Sequence, residues 1–230
     1  MGGLEIRGAI STIRQYGTLR FPWQAETSLM RLGLFGGSFD PVHYGHLLLA
    51  ECCREQCRLD KVIFLPAARP PHKRDRELTS ADLRVAMLSL AIAGHEKFAV
   101  DCFEVDRGGV SYTVDTLSHY RTDNPEAGLF LLLGADMLHD LPRWHDAPAV
   151  CELAVPVAVR RVGVPEPDFS CLSQIASRDR IESFRRHQVV MPEVGLSSTD
   201  IRQRVAAGQS IRYRTPRSVE KFIETHMLYR

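Results

Sequence analysis

The sequence lacks an excess of charge of either sign, and it also lacks a long apolar run. Its 230 residues include 29 Lys+Arg and 28 Asp+Glu, which gives a formal net charge of +1. Proteins that coat nucleic acid or an anionic membrane surface usually carry a clear basic excess. No apolar run approaches the roughly 20 residues that a membrane-spanning helix needs. The sequence therefore argues against both a nucleic-acid partner and a membrane partner.

Cysteines are few, and they do not form a metal-binding pattern. There are six of them, with no CxxC pair and no histidine at zinc spacing. Cys53 and Cys57 could offer two ligands on one helical face, which is too few for a structural metal. The first 29 residues lack the pattern of a secretory signal. We interpret the cysteines as reduced thiols and expect the protein to be cytoplasmic.

From residue 30 onward, short apolar runs alternate with helical patterns. We predict strands at 31–35, 62–65, 98–105, 129–133, 153–159 and 189–191. We predict helices at 45–58, after a cap at Thr79 or Ser80, and at 113–120, 171–181, 198–207 and 217–226. Continuous apolar strands that alternate with helices predict a parallel sheet covered on both faces. The expected fold is a single α/β domain, Rossmann-like and doubly wound, over residues 30–230. Residues 1–29 are interpreted as an N-terminal extension, either poorly ordered or upstream of a true start at Met30.

The loop after the first predicted strand begins with Gly36-Gly37-Ser38. In open α/β sheets, ligands bind beyond the carboxyl ends of the strands. Two adjacent glycines let a ligand approach the backbone closely, so that exposed amides can face phosphate oxygens. The spacing matches neither GxGxxG nor the P-loop. A phosphate site of another class is therefore indicated.

His43 and His46 flank Gly45 at the start of the next predicted helix. Residues three apart lie on one helical face, so both imidazoles can point at one ligand. The competing interpretation makes one histidine a helix cap and the other a core residue. Two histidines at this spacing, after a Gly-Gly-Ser loop, favour a functional role.

The whole run from Gly36 to His46, GGSFDPVHYGH, resembles the (H/T)xGH motif of the nucleotidyltransferase superfamily. Four further segments, in the same order, resemble one branch of it, the bacterial nicotinate-nucleotide adenylyltransferases. They read PPHK at 70–73, YTVDTL at 112–117, LGAD at 133–136 with LPRW at 141–144, and LSSTDIR at 196–202. The resemblance extends from residue 30 to residue 229.

This resemblance implies a reaction of ATP with nicotinate mononucleotide that gives deamido-NAD and pyrophosphate. His46 and His43 are the expected catalytic residues. The expected ATP-binding residues are Gly36, Gly37, Ser38, Phe39, His43, His46, Ser197, Ser198, Thr199 and Arg202. The expected mononucleotide-binding residues are Lys73, Thr113, Asp136 and Trp144. Mg²⁺ is expected to accompany ATP through its phosphates and waters, without a protein ligand.

Each of the later segments also has a purely structural interpretation. Ser197, Ser198 and Thr199 can be an ordinary helix cap, Lys73 can belong to a solvated basic loop, and Trp144 can be a core residue. An acceptor other than nicotinate mononucleotide, such as nicotinamide mononucleotide, is the first alternative function. A module that binds ATP or NAD without chemistry is the second.

Overall fold

Six apolar segments form the strands of one parallel sheet in the computed structural model, which describes residues 29–70 and 78–230. Its strands are β1 (Arg31–Gly37), β2 (Lys61–Pro66), β3 (Phe98–Val100), β4 (Gly128–Gly134), β5 (Val155–Arg161) and β6 (Val189–Met191). The strand order is β3-β2-β1-β4-β5-β6, with every neighbouring pair parallel. This is the predicted doubly wound, Rossmann-like fold. The order reverses between β1 and β4, where such sheets bind their ligands.

Side chains alternate between two cores along the strands, as the two-residue period of a strand requires. In β2, Val62 and Phe64 enter one core, whereas Ile63 and Leu65 enter the other. In β4, Phe130 and Leu132 alternate with their neighbours in the same way. Both faces of the sheet are therefore buried, which explains why the strands are continuously apolar in sequence.

Helices cover each face. The first core receives α1 (Tyr44–Gln56), α2 (Ala81–Ile92), α8 (Ser198–Ala206) and α9 (Arg217–Thr225). The second receives α4 (Thr113–Asp123), α5 (Ala135–Asp140), α6 (Ala147–Leu153) and α7 (Arg178–Arg186). A short helix, α3 (Phe103–Arg107), follows β3, and 3₁₀ turns span Leu141–Arg143 and Phe169–Leu172. Over the described part of the chain, no helix combines the length and hydropathy required of a membrane span.

Three predicted elements differ from the structure. The strand predicted at 98–105 ends at Val100, because Asp101 accepts a hydrogen bond from the Phe103 amide at 2.8 Å and starts α3. The strand predicted at 153–159 begins only at Val155, since α6 occupies the residues before it. The helix predicted at 171–181 lies later, because the Ser177 hydroxyl accepts from the Arg180 amide and begins α7 there.

Two predictions fall on parts of the chain outside the described residues. The proposed N-terminal extension lies there except for Leu29, and so does Lys73. Both stay predictions from the sequence.

Candidate active site

The loop between β1 and α1 brings the two motif histidines together. Their rings stack with centroids 3.7 Å apart and an interplanar angle of 23°. His43 is the N-cap residue of α1, and its ring lies behind that of His46 with only 6% of the residue exposed. Both structural roles that the sequence suggested therefore belong to His43, which is a cap and is buried. His46 is the more accessible of the two, with a half-buried side chain.

One hydrogen bond selects the tautomer of His46. The backbone N–H of His43 donates to Nδ1 of His46 at 3.3 Å. A neutral imidazole whose Nδ1 accepts must carry its proton on Nε2. Nε2 of His46 is therefore a hydrogen-bond donor.

Burial keeps His43 uncharged. Desolvation lowers the pKa of His43 from 6.5 to about 4. A Cβ atom added at Gly45 would lie 3.0 Å from the His43 ring, tighter than nine in ten real Cβ contacts, so the ring would have to shift. The glycine in this motif therefore gives the buried ring its space.

The lowered pKa of His43 makes the stability of the protein depend on pH. The unfolded chain gains a proton on this residue near pH 6.5, whereas the folded chain resists it until about pH 4. Stability contributed by neutral His43 is thus complete above pH 6.5 and is lost as pH falls toward 4. Between about pH 7.5 and about pH 5, this loss should reach about 2 kcal/mol.

Urea unfolding of the wild type and of His43→Gln at both pH values measures this contribution. Carboxylates titrate in both proteins, so the difference between the two pH dependences isolates His43. Equal losses of unfolding free energy in the two proteins would contradict the neutral, buried assignment.

The C-terminal part of the chain holds the motif loop in place. Ser198 donates its hydroxyl to the carbonyl of Pro41 at 2.9 Å. Thr215 donates to the carbonyl of Val42 at 2.7 Å, and the guanidinium of Arg202 donates to the carbonyl of Asp40. Three successive carbonyls of the loop are thereby fixed. The segments LSSTDIR and GGSFDPVHYGH, far apart in sequence, form one site.

Within LSSTDIR, the hydroxyls have different partners. Ser197 caps α8, since its Oγ accepts from the Asp200 amide at 3.1 Å, which is the ordinary capping role. Thr199 accepts from Arg202 at 3.0 Å. The start of α8 and the Arg202 guanidinium thus lie beside the motif loop and place positive potential there.

A cavity of about 780 Å³ opens at the carboxyl ends of β1 and β4. Its lining includes Gly36, Gly37 and Ser38 from the motif loop, together with Thr113 at the start of α4 and Trp144. The structure therefore joins residues predicted to bind ATP with residues predicted to bind the mononucleotide. The histidine pair and the start of α8 are not part of this lining.

Two predicted binding residues lie elsewhere. Asp136 is exposed, does not line the cavity, and turns back toward Gly134, where an added Cβ would lie 2.5 Å from its Oδ1. The ring of Phe39 is 1% exposed and packs edge-on against Phe35 and His46. Phe39 can therefore offer a ligand only its backbone.

Sequence reasoning missed several residues of the cavity. Tyr112 packs against His145 with ring centroids 4.4 Å apart, and both line the cavity. Arg143 contributes an exposed cation. Tyr112 and Arg143 belong to the sequence segments at 112–117 and 141–144, but the spacing within these segments does not show that their side chains face the cavity.

A buried carboxylate also reaches the cavity. Glu104 is 6% exposed and accepts a hydrogen bond from the Thr116 hydroxyl at 2.8 Å. Desolvation raises the pKa of Glu104, although hydrogen bonds from Thr116 and Ser111 oppose the shift. Because it anchors α3 to the start of α4, Glu104 fixes the backbone around Thr113.

The reversed strand order, the histidine pair at a helix start, and the hydroxyls and guanidinium beside it are the arrangement expected of a nucleotidyltransferase. In agreement, the family described as Cytidylyltransferase-like matches residues 34–204. A protein from Thermus thermophilus named "Probable nicotinate-nucleotide adenylyltransferase" is 45% identical over 201 residues, covering 87% of this chain and 100% of that protein. One of the same name from Thermomicrobium roseum is 43% identical over 203 residues, covering 88% and 92%. The chain belongs to the nicotinate-nucleotide adenylyltransferase family.

A solved structure confirms the fold independently. The Plasmodium falciparum nicotinic acid mononucleotide adenylyltransferase, solved as a complex with NaAD, superposes with a TM-score of 0.70 at 17% identity. The match covers 87% of this chain and 97% of that one.

Proposed function

We propose that this protein transfers the adenylyl group of ATP to nicotinate mononucleotide, forming deamido-NAD and pyrophosphate. The observation that supports the proposal is that two half-sites adjoin. One is formed by the histidine pair with the start of α8, and the other is the cavity lined by Thr113 and Trp144. The cavity that contains Thr113 and Trp144 shares the backbone of Gly36–Ser38 with the loop that holds the histidine pair. A reaction that joins two nucleotides needs adjoining sites of this kind.

The half-site beside the histidines suits the triphosphate of ATP. Ser198 and Thr199 lie in the first turn of a nine-residue helix, whose amides and dipole favour an anion. Arg202 adds a full charge beside the loop. The glycines of the motif let phosphate oxygens approach the backbone amides. Binding of ATP here is a prediction supported by this chemistry.

The chemistry needs no protein nucleophile. A 5′-phosphate oxygen of the mononucleotide attacks the α-phosphorus of ATP, and the bond from that phosphorus to the oxygen bridging the α- and β-phosphates breaks. Pyrophosphate leaves with the electron pair of that bond. Negative charge builds on the α-phosphate oxygens and the leaving group, so positioned donors accelerate the step. The Nε2–H of His46 is the donor best placed for this role, with neutral His43 holding its orientation.

The second half-site suits a flat, charged base. The face of Trp144 can stack on a pyridine ring, and Tyr112 with His145 forms an aromatic wall of the same cavity. Helix α4, eleven residues long, begins at Thr113 in this wall. Its amides and dipole favour the carboxylate of nicotinate over the neutral amide of nicotinamide.

Mg²⁺ would enter with ATP. In the ranges 29–70 and 78–230, no three His, Cys, Asp or Glu side chains are grouped to hold a metal. Mg²⁺ commonly binds through substrate phosphates and waters, which is the mode we propose here. When bound, Mg²⁺ would neutralise charge on the departing pyrophosphate. We also propose a cytoplasmic location, in keeping with six free cysteines and a substrate pool of ATP.

The decisive experiment is pyrophosphate release from ATP with either nicotinate or nicotinamide mononucleotide as acceptor. We expect kcat/KM to favour the acid clearly, with deamido-NAD identified by mass spectrometry. A preference for the amide would contradict the proposed acceptor. Binding of both nucleotides without pyrophosphate release would instead support the non-catalytic module.

Replacing Trp144 by alanine should raise KM for nicotinate mononucleotide on the order of 10-fold, because the ring loses its stacking surface. KM for ATP should change less than about twofold, since Trp144 lines the cavity and not the proposed triphosphate site beside the histidines. Steady-state kinetics with each substrate varied in turn measure both constants. Trp144→Phe serves as the control and should recover most of the affinity. Equal rises in both constants would contradict a stacking role for Trp144.

A further inference from the structure

Arg84 is an unexplained buried cation close to the motif loop. It lies on α2 with 1% of its surface exposed. Its guanidinium donates to the carbonyls of Ser38 at 2.9 Å, Ala67 at 2.8 Å and Thr79 at 2.9 Å. These carbonyls belong to the loop after β1, the end of β2 and the residue before the cap of α2. One side chain thus joins three segments that meet at the ligand edge of the sheet.

The bond to Ser38 fixes the direction of one peptide group. A peptide is planar and trans, so its C=O and the following N–H point in opposite directions. With the Ser38 carbonyl directed at Arg84, the N–H of Phe39 points away from Arg84. The structure of residues 29–70 and 78–230 shows no internal acceptor for this N–H. Gly37 and Ser38, directly before it, line the cavity.

Because the backbone of Phe39 is left-handed, the orientation of the Ser38–Phe39 peptide depends on contacts with the surrounding residues. Phe39 has a φ of +46°, a conformation that costs a non-glycine residue free energy. The ring of Phe39 packs in the core, and the carbonyl of the preceding residue, Ser38, accepts a hydrogen bond from Arg84. Asp40, next in sequence, is 2% exposed and accepts from the Tyr229 hydroxyl at 2.7 Å, and its charge lies close to Arg84. The core contacts of the ring, the Arg84 hydrogen bond and the buried Asp40 side chain together hold the turn in this conformation.

We propose that Arg84 is a positioning residue for adenylyl transfer, which orients the Ser38–Phe39 peptide so that its N–H faces a phosphate oxygen of ATP. The inference rests on the proposed function. Arg84 itself does not touch the substrate. Its planar fork spans several carbonyls at once, whereas lysine carries its donors on a single nitrogen. Arg84→Lys keeps the charge but should release at least one of the three segments.

Arg180 offers a matched control. It too uses one guanidinium to bind three backbone carbonyls, those of Cys151, Glu152 and Ala154, at the end of α6. These partners line neither the cavity nor the motif loop. Arg180 is less buried than Arg84, but Arg180→Lys reproduces the same chemical change and the loss of the same kind of bond without touching the Ser38–Phe39 peptide.

The test measures kcat and both KM values per folded molecule for the wild type, Arg84→Lys and Arg180→Lys, with folded fractions taken from thermal unfolding. We expect kcat of Arg84→Lys to fall on the order of 10-fold to 100-fold, because a misplaced donor weakens transition-state binding. Its KM for nicotinate mononucleotide should stay within about threefold of the wild type, and Arg180→Lys should keep the wild-type kcat.

A kcat of Arg84→Lys equal to that of Arg180→Lys, at any difference in stability, overturns the positioning role and leaves Arg84 a structural residue. A wild type that makes no dinucleotide overturns both this inference and the proposed function.

If Arg84→Lys folds too poorly to assay, Ser218→Ala and Tyr229→Phe give a second comparison. Tyr229→Phe removes the hydroxyl that binds Asp40 and also contacts Thr79 and Met87, and Ser218→Ala removes a surface bond to Leu90. If kcat falls in Tyr229→Phe and not in Ser218→Ala, the result supports the proposal that the contacts around Arg84 and Asp40 position the Ser38–Phe39 peptide. Equal kcat values in the two variants overturn that proposal.

Discussion

Replacing His46 by alanine should lower kcat on the order of 100-fold or more, the usual effect of removing a donor to developing negative charge. The expectation follows from the hydrogen bond of Nδ1 to the His43 amide, which leaves Nε2–H as the donating group. The half-buried ring contributes less packing than a core side chain, so the variant should fold. Quenched-flow or steady-state pyrophosphate release measures the change, with circular dichroism to verify the fold.

His226 provides the control for His46. It lies at the C-terminal end of α9, where its ring stacks on Phe222 with centroids 4.0 Å apart and its Nδ1 contacts the Phe222 carbonyl at 2.9 Å. His226→Ala should leave kcat unchanged. His46→Gln, which can still donate, should keep more activity than His46→Ala. Wild-type turnover in His46→Ala would remove the proposed mechanism.

The sequence predicted what depends on short-range patterns. The apolar runs gave the strands, and the spacing of His43 and His46 predicted one shared face at a helix start. Helix starts were less predictable where a cap competed with apolar periodicity, as at Ser177, which begins α7 later than predicted. Capping hydrogen bonds of this kind determine the residue at which a helix starts when apolar periodicity allows more than one start.

Contacts between distant residues were beyond sequence reasoning. Arg84 and Ser38 are 46 positions apart, and Ser198 reaches Pro41 across 157 positions. An arginine within an apolar helix face is a visible signal, but nothing in the sequence names its carbonyl partners. For Phe39, the sequence motif suggested a role that the side chain does not have in the structure. Its place in the motif suggested a ligand contact, whereas the structure buries its ring in the core.

The buried ring of Phe39 leads to the second large effect that we expect. Its centroid lies 5.1 Å from that of His46 and 5.7 Å from that of Phe64. An added Cβ at Gly37 would lie 2.9 Å from this ring, so the ring also closes against the motif loop. Phe39→Ala should therefore lower the free energy of unfolding by about 3–5 kcal/mol, as other large core truncations do. Urea unfolding measures the loss.

A matched pair of milder substitutions separates packing from catalysis. Phe64 is 0% exposed, and its ring contacts within the described chain are with Phe35, Phe39 and Phe98 rather than with His46. Phe39→Leu and Phe64→Leu should each cost about 1–3 kcal/mol of stability. Only Phe39→Leu should also lower kcat, on the order of 10-fold, because His46 loses the ring that orients it. Equal kcat values in the two variants, measured well below their unfolding transitions, would show that the phenylalanine cluster stabilises the fold without aligning His46.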